Sequence, residues 1–109
     1  AVITGGSRGF GEVLVKTFSQ NGWCVAYSGR NVSTMSSETV VAQQADTANA
    51  CDMKSFFSKV VQKWQRIDTL IINAGKNLDA LFLKTSGQDI DAVCETNLKG
   101  FYVAVHGVL

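Results

Sequence analysis

The first thirteen residues, AVITGGSRGFGEV, run from an apolar triplet straight into four glycines within seven positions, with one arginine among them. Glycine at that density costs conformational entropy, so it marks backbone that must turn tightly or lie close to something else. Ala1 to Ile3 has the length and polarity of a buried parallel strand. Phe10, Val13, Leu14 and Phe18 then recur at helical spacing, and Asn21-Gly22 supplies a C-terminal stop. A glycine-rich turn between a first strand and a first helix presents backbone N–H groups at a helix N-terminus, and the missing Cβ atoms let an anion approach. Taken alone, the same cluster also suits a tight turn with no ligand.

Downstream, Trp23 to Tyr27 reads as a second strand, and the polar, serine-rich Asn31 to Glu38 as a loop or one short helix. A third strand is expected from Thr39 through Ala42 to about Ala45. Met53, Phe56, Phe57, Val60, Val61 and Trp64 fall on one stripe of an amphipathic helix. Leu70 to Ile72 is a fourth strand, turned by Asn73-Ala74-Gly75, and a loop carrying Asp79 to Lys84 comes next. A last helix, capped near Thr85 or Ser86, carries the stripe Ile90, Val93, Cys94, Asn97, Leu98, Phe101 and Val105. Strand and helix alternate with connections long enough for right-handed crossovers, which predicts an α/β fold: a doubly wound parallel sheet in the order 3-2-1-4 with helices on both faces.

Composition narrows the function. With 46% hydrophobic and 17% charged residues the chain is too apolar for disorder, and a net charge of +1 gives no field that would gather nucleic acid. No apolar run approaches the roughly 20 residues of a membrane span. Cys24, Cys51 and Cys94 are odd in number and far apart, with no CxxC and one histidine. They read as reduced structural thiols in a cytoplasmic compartment, with no metal site expected. An organelle matrix is the alternative if a targeting segment was removed. The chain lacks an initiator methionine and stops in mid-pattern at FYVAVHGVL, so residues 1–109 are expected to be the front half of a single domain that continues further.

The spacing in the first turn is Thr4-Gly5-x-x-x-Gly9-x-Gly11, which resembles the TGxxxGxG signature of the short-chain dehydrogenase/reductase family. Asn73-Ala74-Gly75 matches the family's NAG motif after the fourth strand, and Asn97 lies in the matching TNLKG stretch. Asp46 matches its acidic residue after the third strand. The resemblance covers nearly the whole chain and implies a Rossmann-type domain. The cofactor-binding positions it implies are Thr4, Gly5, Ser7, Arg8, Gly9, Phe10, Gly11, Arg30, Asp46, Thr47, Asn73, Ala74 and Gly75. Asp46 would contact adenine and Asn73 would lie beneath the nicotinamide ribose. Asn97 would mark a helix distortion and help hold a water on the proton path, which makes it the catalytic candidate. Ile72 stands where a second asparagine is usual, and Phe10, on the nicotinamide side, where a smaller aliphatic residue is usual.

Charge indicates which dinucleotide. The second strand ends Tyr27-Ser28-Gly29-Arg30-Asn31, without the carboxylate that binds ribose hydroxyls in NAD-specific folds. Arg30 can instead pair with a 2′-phosphate through a charge-assisted fork, and Arg8 adds a second basic group, so NADP(H) is the expected cofactor. Both arginines also suit a plain solvated surface.

The family's serine and YxxxK pair have no match here: Tyr27 is followed four residues later by Asn31, and Tyr102 by His106. His106 reads as structural. The stretch NAGKNLDALFLKTSGQDID is most similar to the family's 3-oxoacyl-(acyl-carrier-protein) reductases, which implies a small-molecule or carrier-protein-bound carbonyl substrate. A dehydrogenase of another secondary alcohol, or a non-catalytic NADPH-binding relative, stays open. The resemblance also implies a homo-oligomer, dimer or tetramer, with the helix from Ser86 to Leu109, including Phe101 and Tyr102, at an interface.

Overall fold

The computed structural model describes residues 1–109. Its strands are β1 (Val2–Thr4), β2 (Val25–Gly29), β3 (Met35–Ser36), β4 (Val40–Gln44) and β5 (Leu70–Ile72). They form one sheet in the order β3-β4-β2-β1-β5. The four longer strands run parallel, with Val2 opposite Ala26 on one side and Leu70 on the other, and Val25 opposite Val40. These correspond to the expected 3-2-1-4 arrangement. Chain order reverses between β1 and β5, so the carboxyl ends of the strands diverge there into a crevice.

Helix α1 (Gly9–Gln20) covers one face of the sheet, and α2 (Ala50–Trp64) and α4 (Gly100–Val108) cover the other, with α3 (Gly87–Cys94) preceding α4 in the chain. The main core lies on the second face, where Met53, Phe56, Phe57 and Val60 of α2 pack with Val2, Ala26, Val41 and Ala104. Asn49 starts α2 by accepting a hydrogen bond from the Asp52 N–H at 3.1 Å. Val61, placed on the apolar stripe of α2 by its spacing, is in fact exposed, at the stripe's edge.

Two regions depart from expectation. The Asn31 to Glu38 stretch is neither plain loop nor helix: Met35 and Ser36 pair antiparallel with Ala42 and Val41 of β4. The Ser37–Val40 turn closes this hairpin, with the Ser37 N–H donating to the Val40 carbonyl at 2.8 Å and the Val40 N–H to Ser37 Oγ at 3.0 Å. Such a strand owes its existence to the partner it pairs with, not to its own two residues.

The single last helix is in fact three segments: α3, a π-helical stretch Glu95–Lys99, and α4. A π turn inserts an extra residue and rotates the helix beyond it. The expected stripe is not the buried face: Ile90 and Cys94 before the π stretch and Asn97 within it are already exposed. Gly100 and Ala104 are buried and Val103 and Val108 pack on the core, whereas Leu98 and Phe101 are exposed. Small residues let α4 lie close to its neighbours: a Cβ on Gly107 would stand 2.7 Å from the Phe57 ring. No helix is long and apolar enough to cross a membrane.

Candidate functional site

At the carboxyl edge of the sheet lies a cleft of about 530 Å³. Its floor begins with the glycine turn. Gly5 (φ +68°) and Gly9 (φ +57°) both adopt the left-handed conformation that side chains resist. They do so for different reasons. A Cβ on Gly5 would meet the Ala74 backbone at 2.9 Å, so this glycine permits close packing, whereas nothing lies within 4 Å of a Cβ on Gly9. Gly9 opens toward free space at the mouth of α1. Arg8 takes the N-cap position of α1 without a side-chain cap hydrogen bond. The first N–H groups of α1 are thus uncapped by any side chain, and the helix dipole adds to their preference for an anion.

Thr4 ties the turn to the end of β5. Its hydroxyl oxygen accepts the N–H groups of Asn73 and Ala74, each at 3.1 Å, and the Asn73 side-chain amide donates to the Gly5 carbonyl at 2.9 Å. Gly11 seals this junction: a Cβ there would collide with the Gly5 carbonyl and stand 2.5 Å from Asn73 Nδ2. Thr4 and Gly11 therefore shape the cleft from beneath and do not line it.

Gly5, Ser7, Arg8 and Gly9 line one side, and Asn73, Ala74 and Gly75 another. The third wall comes from the ends of β2 and β4: Arg30, Asp46 and Thr47, with Gly29, Asn31 and Ala45. Arg8 and Arg30 thus share one cleft. Asp46 is held in a tight turn, Oδ1 accepting the Ala48 N–H at 3.0 Å, while its own N–H donates to Asp52 Oδ2 at 3.0 Å. Phe10, expected on the nicotinamide side, is 70% exposed and is not among the residues that line this cleft.

Asn97 lies within the π segment, so a distorted helix does surround it. Its side chain clasps the loop after the NAG turn instead of packing into the apolar core: Oδ1 accepts the Lys76 N–H at 2.7 Å, and Nδ2 donates to the Lys76 carbonyl at 2.9 Å. This satisfies the amide locally. Its neighbour Thr96 lines the cleft. Gly29, Asn31, Ala45 and Thr96 do not stand out in the sequence. Gly29 ends β2, and Asn31 and Ala45 lie just past the ends of β2 and β4; that position was the available signal. His106 is exposed and stacks on Tyr102, ring centroids 5.6 Å apart.

A family model described as short chain dehydrogenase matches residues 1–109. The chain belongs to the short-chain dehydrogenase family. Among its relatives, a 3-oxoacyl-(acyl-carrier-protein) reductase of Staphylococcus aureus is 33% identical over 94% of this chain and 46% of the relative. A reductase of the same name from Synechocystis is 30% identical over 99% of this chain and 48% of its own length. The chain thus spans about half the length of the curated relatives it matches. Among solved structures, a short-chain dehydrogenase/reductase from Serratia marcescens superposes with a TM-score of 0.87 at 27% identity, over 98% of this chain and 49% of that one. A structure of ElxO with NADP bound gives a TM-score of 0.86 at 28% identity, over 97% of this chain and 47% of that one. The doubly wound, mostly parallel sheet is that of the short-chain dehydrogenases.

Proposed function

We propose that this short-chain dehydrogenase chain forms the cofactor-binding half of an NADPH-dependent carbonyl reductase acting on a 3-oxoacyl thioester. The observation that carries the cofactor choice is the joint presence of Arg8 and Arg30 in one cleft whose β2 end offers no carboxylate. The cleft also fits a dinucleotide in shape: an uncapped helix N-terminus and the open space above Gly9 accept the pyrophosphate. Arg30 and Arg8 would pair with the 2′-phosphate, Ser7 and Thr47 would hydrogen-bond nearby, and the free oxygen of Asp46 would accept from the adenine amino group. Asn73, Ala74 and Gly75 would support the nicotinamide ribose.

When bound, the cofactor supplies hydride to a carbonyl carbon. The chain's own residues orient and screen it. Asn97 fixes the loop at Lys76 beside the reacting end and keeps one amide hydrogen and one oxygen lone pair for a water on the proton path. The acid that protonates the carbonyl oxygen is assigned to residues outside 1–109. The substrate class rests on the likeness to 3-oxoacyl-(acyl-carrier-protein) reductases, and with it a cytoplasmic setting and a homo-oligomer that uses the exposed Phe101 and Tyr102.

The test is titration of cofactor fluorescence with the full natural chain. Arg30→Asp is expected to weaken NADPH binding by about a hundredfold while changing NADH binding by less than about threefold, because a charge-assisted pair is replaced by repulsion. Equal losses for both cofactors would refute the assignment.

A further inference from the structure

Arg30 lies just past the end of β2, on an exposed arm that runs through Asn31 to the β3 hairpin. A guanidinium on a loose arm must be ordered each time it meets a phosphate, which costs affinity. Gln44, the last residue of β4, stands opposite Gly29 in the sheet register. Its side-chain Nε2 donates to the Arg30 carbonyl at 2.8 Å, and its backbone N–H reaches Thr34 Oγ1 at 3.4 Å. Gln44 therefore holds the arm at both ends of the Arg30–Thr34 stretch. Between them Val32 is buried against Gly29. Gln44 itself does not line the cleft.

We propose that Gln44 is a positioning residue for Arg30 and, acting through it, sets discrimination between phosphorylated and unphosphorylated dinucleotides. This rests on the reading of Arg30 as the 2′-phosphate partner. The Gln44 amide fixes where the arm leaves the sheet, so the guanidinium fork starts close to its binding pose. A side chain of equal length without a donor leaves the Arg30 carbonyl to solvent and loosens the arm at that end, while the Thr34 end stays held by the Gln44 backbone N–H.

The experiment compares the full natural chain with Gln44→Met, Arg30→Ala and the double variant, each titrated with NADPH and with NADH, alongside thermal melts. Gln44→Leu serves as a second donor-free variant. Gln44→Met is expected to raise the NADPH dissociation constant about three- to tenfold, the effect of one lost hydrogen bond. NADH affinity stays within about twofold, since both cofactors share every other contact. In the Arg30→Ala background Gln44→Met adds nothing. A purely structural role would weaken both cofactors alike and add to the loss in the double variant. Either result, or no loss at all, overturns the inference while Arg30→Ala still erases the NADPH preference. If Arg30→Ala leaves that preference intact, the 2′-phosphate reading falls and the role of Gln44 falls with it.

Discussion

Thr4 shows how one hydroxyl can organise a site. It is fully buried at the end of β1, and its oxygen accepts two N–H groups from the turn after β5. Thr4→Val keeps the volume but strands both donors. The expected cost is about 2–6 kcal/mol, toward the lower end because the two donors are only part-buried and each stranded donor costs about 1–3 kcal/mol, and the change is read as a fall in the denaturation midpoint. Cofactor affinity should fall with it, because Asn73 and Ala74 lose their anchor. The glycines of the turn were legible in sequence because backbone geometry or close approach demands them, Gly9 by its positive φ and Gly5 and Gly11 by the atoms a Cβ would meet. Thr96 and Asn31 were not legible, since their place in the cleft depends on how distant strands end. Phe10 is 70% exposed and, unlike Arg8 and Gly9 before it, does not line the cleft.

At the level of elements, periodicity identified α1, α2 and the parallel strands, whose apolar patterns reflect burial on one or both faces. It failed where a pattern is interrupted. Beyond the π stretch Glu95–Lys99, Gly100 and Ala104 are buried and Val103 and Val108 pack on the core, whereas Phe101 is exposed. Gly107→Ala weighs two effects. Replacing a helical glycine by alanine gains about 1 kcal/mol of propensity. A methyl group 2.7 Å from the buried Phe57 ring costs about 1–3 kcal/mol of overpacking. The clash should win, and the denaturation midpoint should fall. A midpoint that rises would show that α4 does not lie so close.

Helix α3 gives a pH dependence. Ser86 and Asp89 form a reciprocal cap, with the Asp89 carboxylate accepting the Ser86 N–H at 2.9 Å and its hydroxyl at 2.8 Å. Hydrogen bonding to the Ser86 backbone, and then to its side chain, lowers the Asp89 pKa below the ordinary 3.8. A depressed folded value means the cap contributes fully above the unfolded pKa and is lost as pH falls through the folded one. Amide exchange in the first turn of α3 should therefore be flat near neutrality and rise only below about pH 4, relative to its intrinsic rate. Asp89→Asn should remove that step. Ser86→Ala should cost about 1 kcal/mol, the usual value of a lost N-cap.

Across the whole molecule, the sheet order fixes where function can sit. The crossover from β4 back to β5 opens a crevice at the strand ends, and the turn after β1, the arm after β2 and the turn after β5 converge there. Alternating strand and helix signals made that topology readable from the residue pattern. The short β3 was unreadable, yet its pairing with β4 ends the arm that carries Arg30. The central claim is that this crevice grips a phosphorylated dinucleotide between α1 and that arm. The most direct measurement is a crystal structure of the full natural chain with NADPH. The account predicts the pyrophosphate at the N-terminus of α1 and the 2′-phosphate within hydrogen-bonding distance of the Arg30 guanidinium. A dinucleotide seated elsewhere, or a 2′-phosphate turned to solvent away from both Arg8 and Arg30, would contradict it.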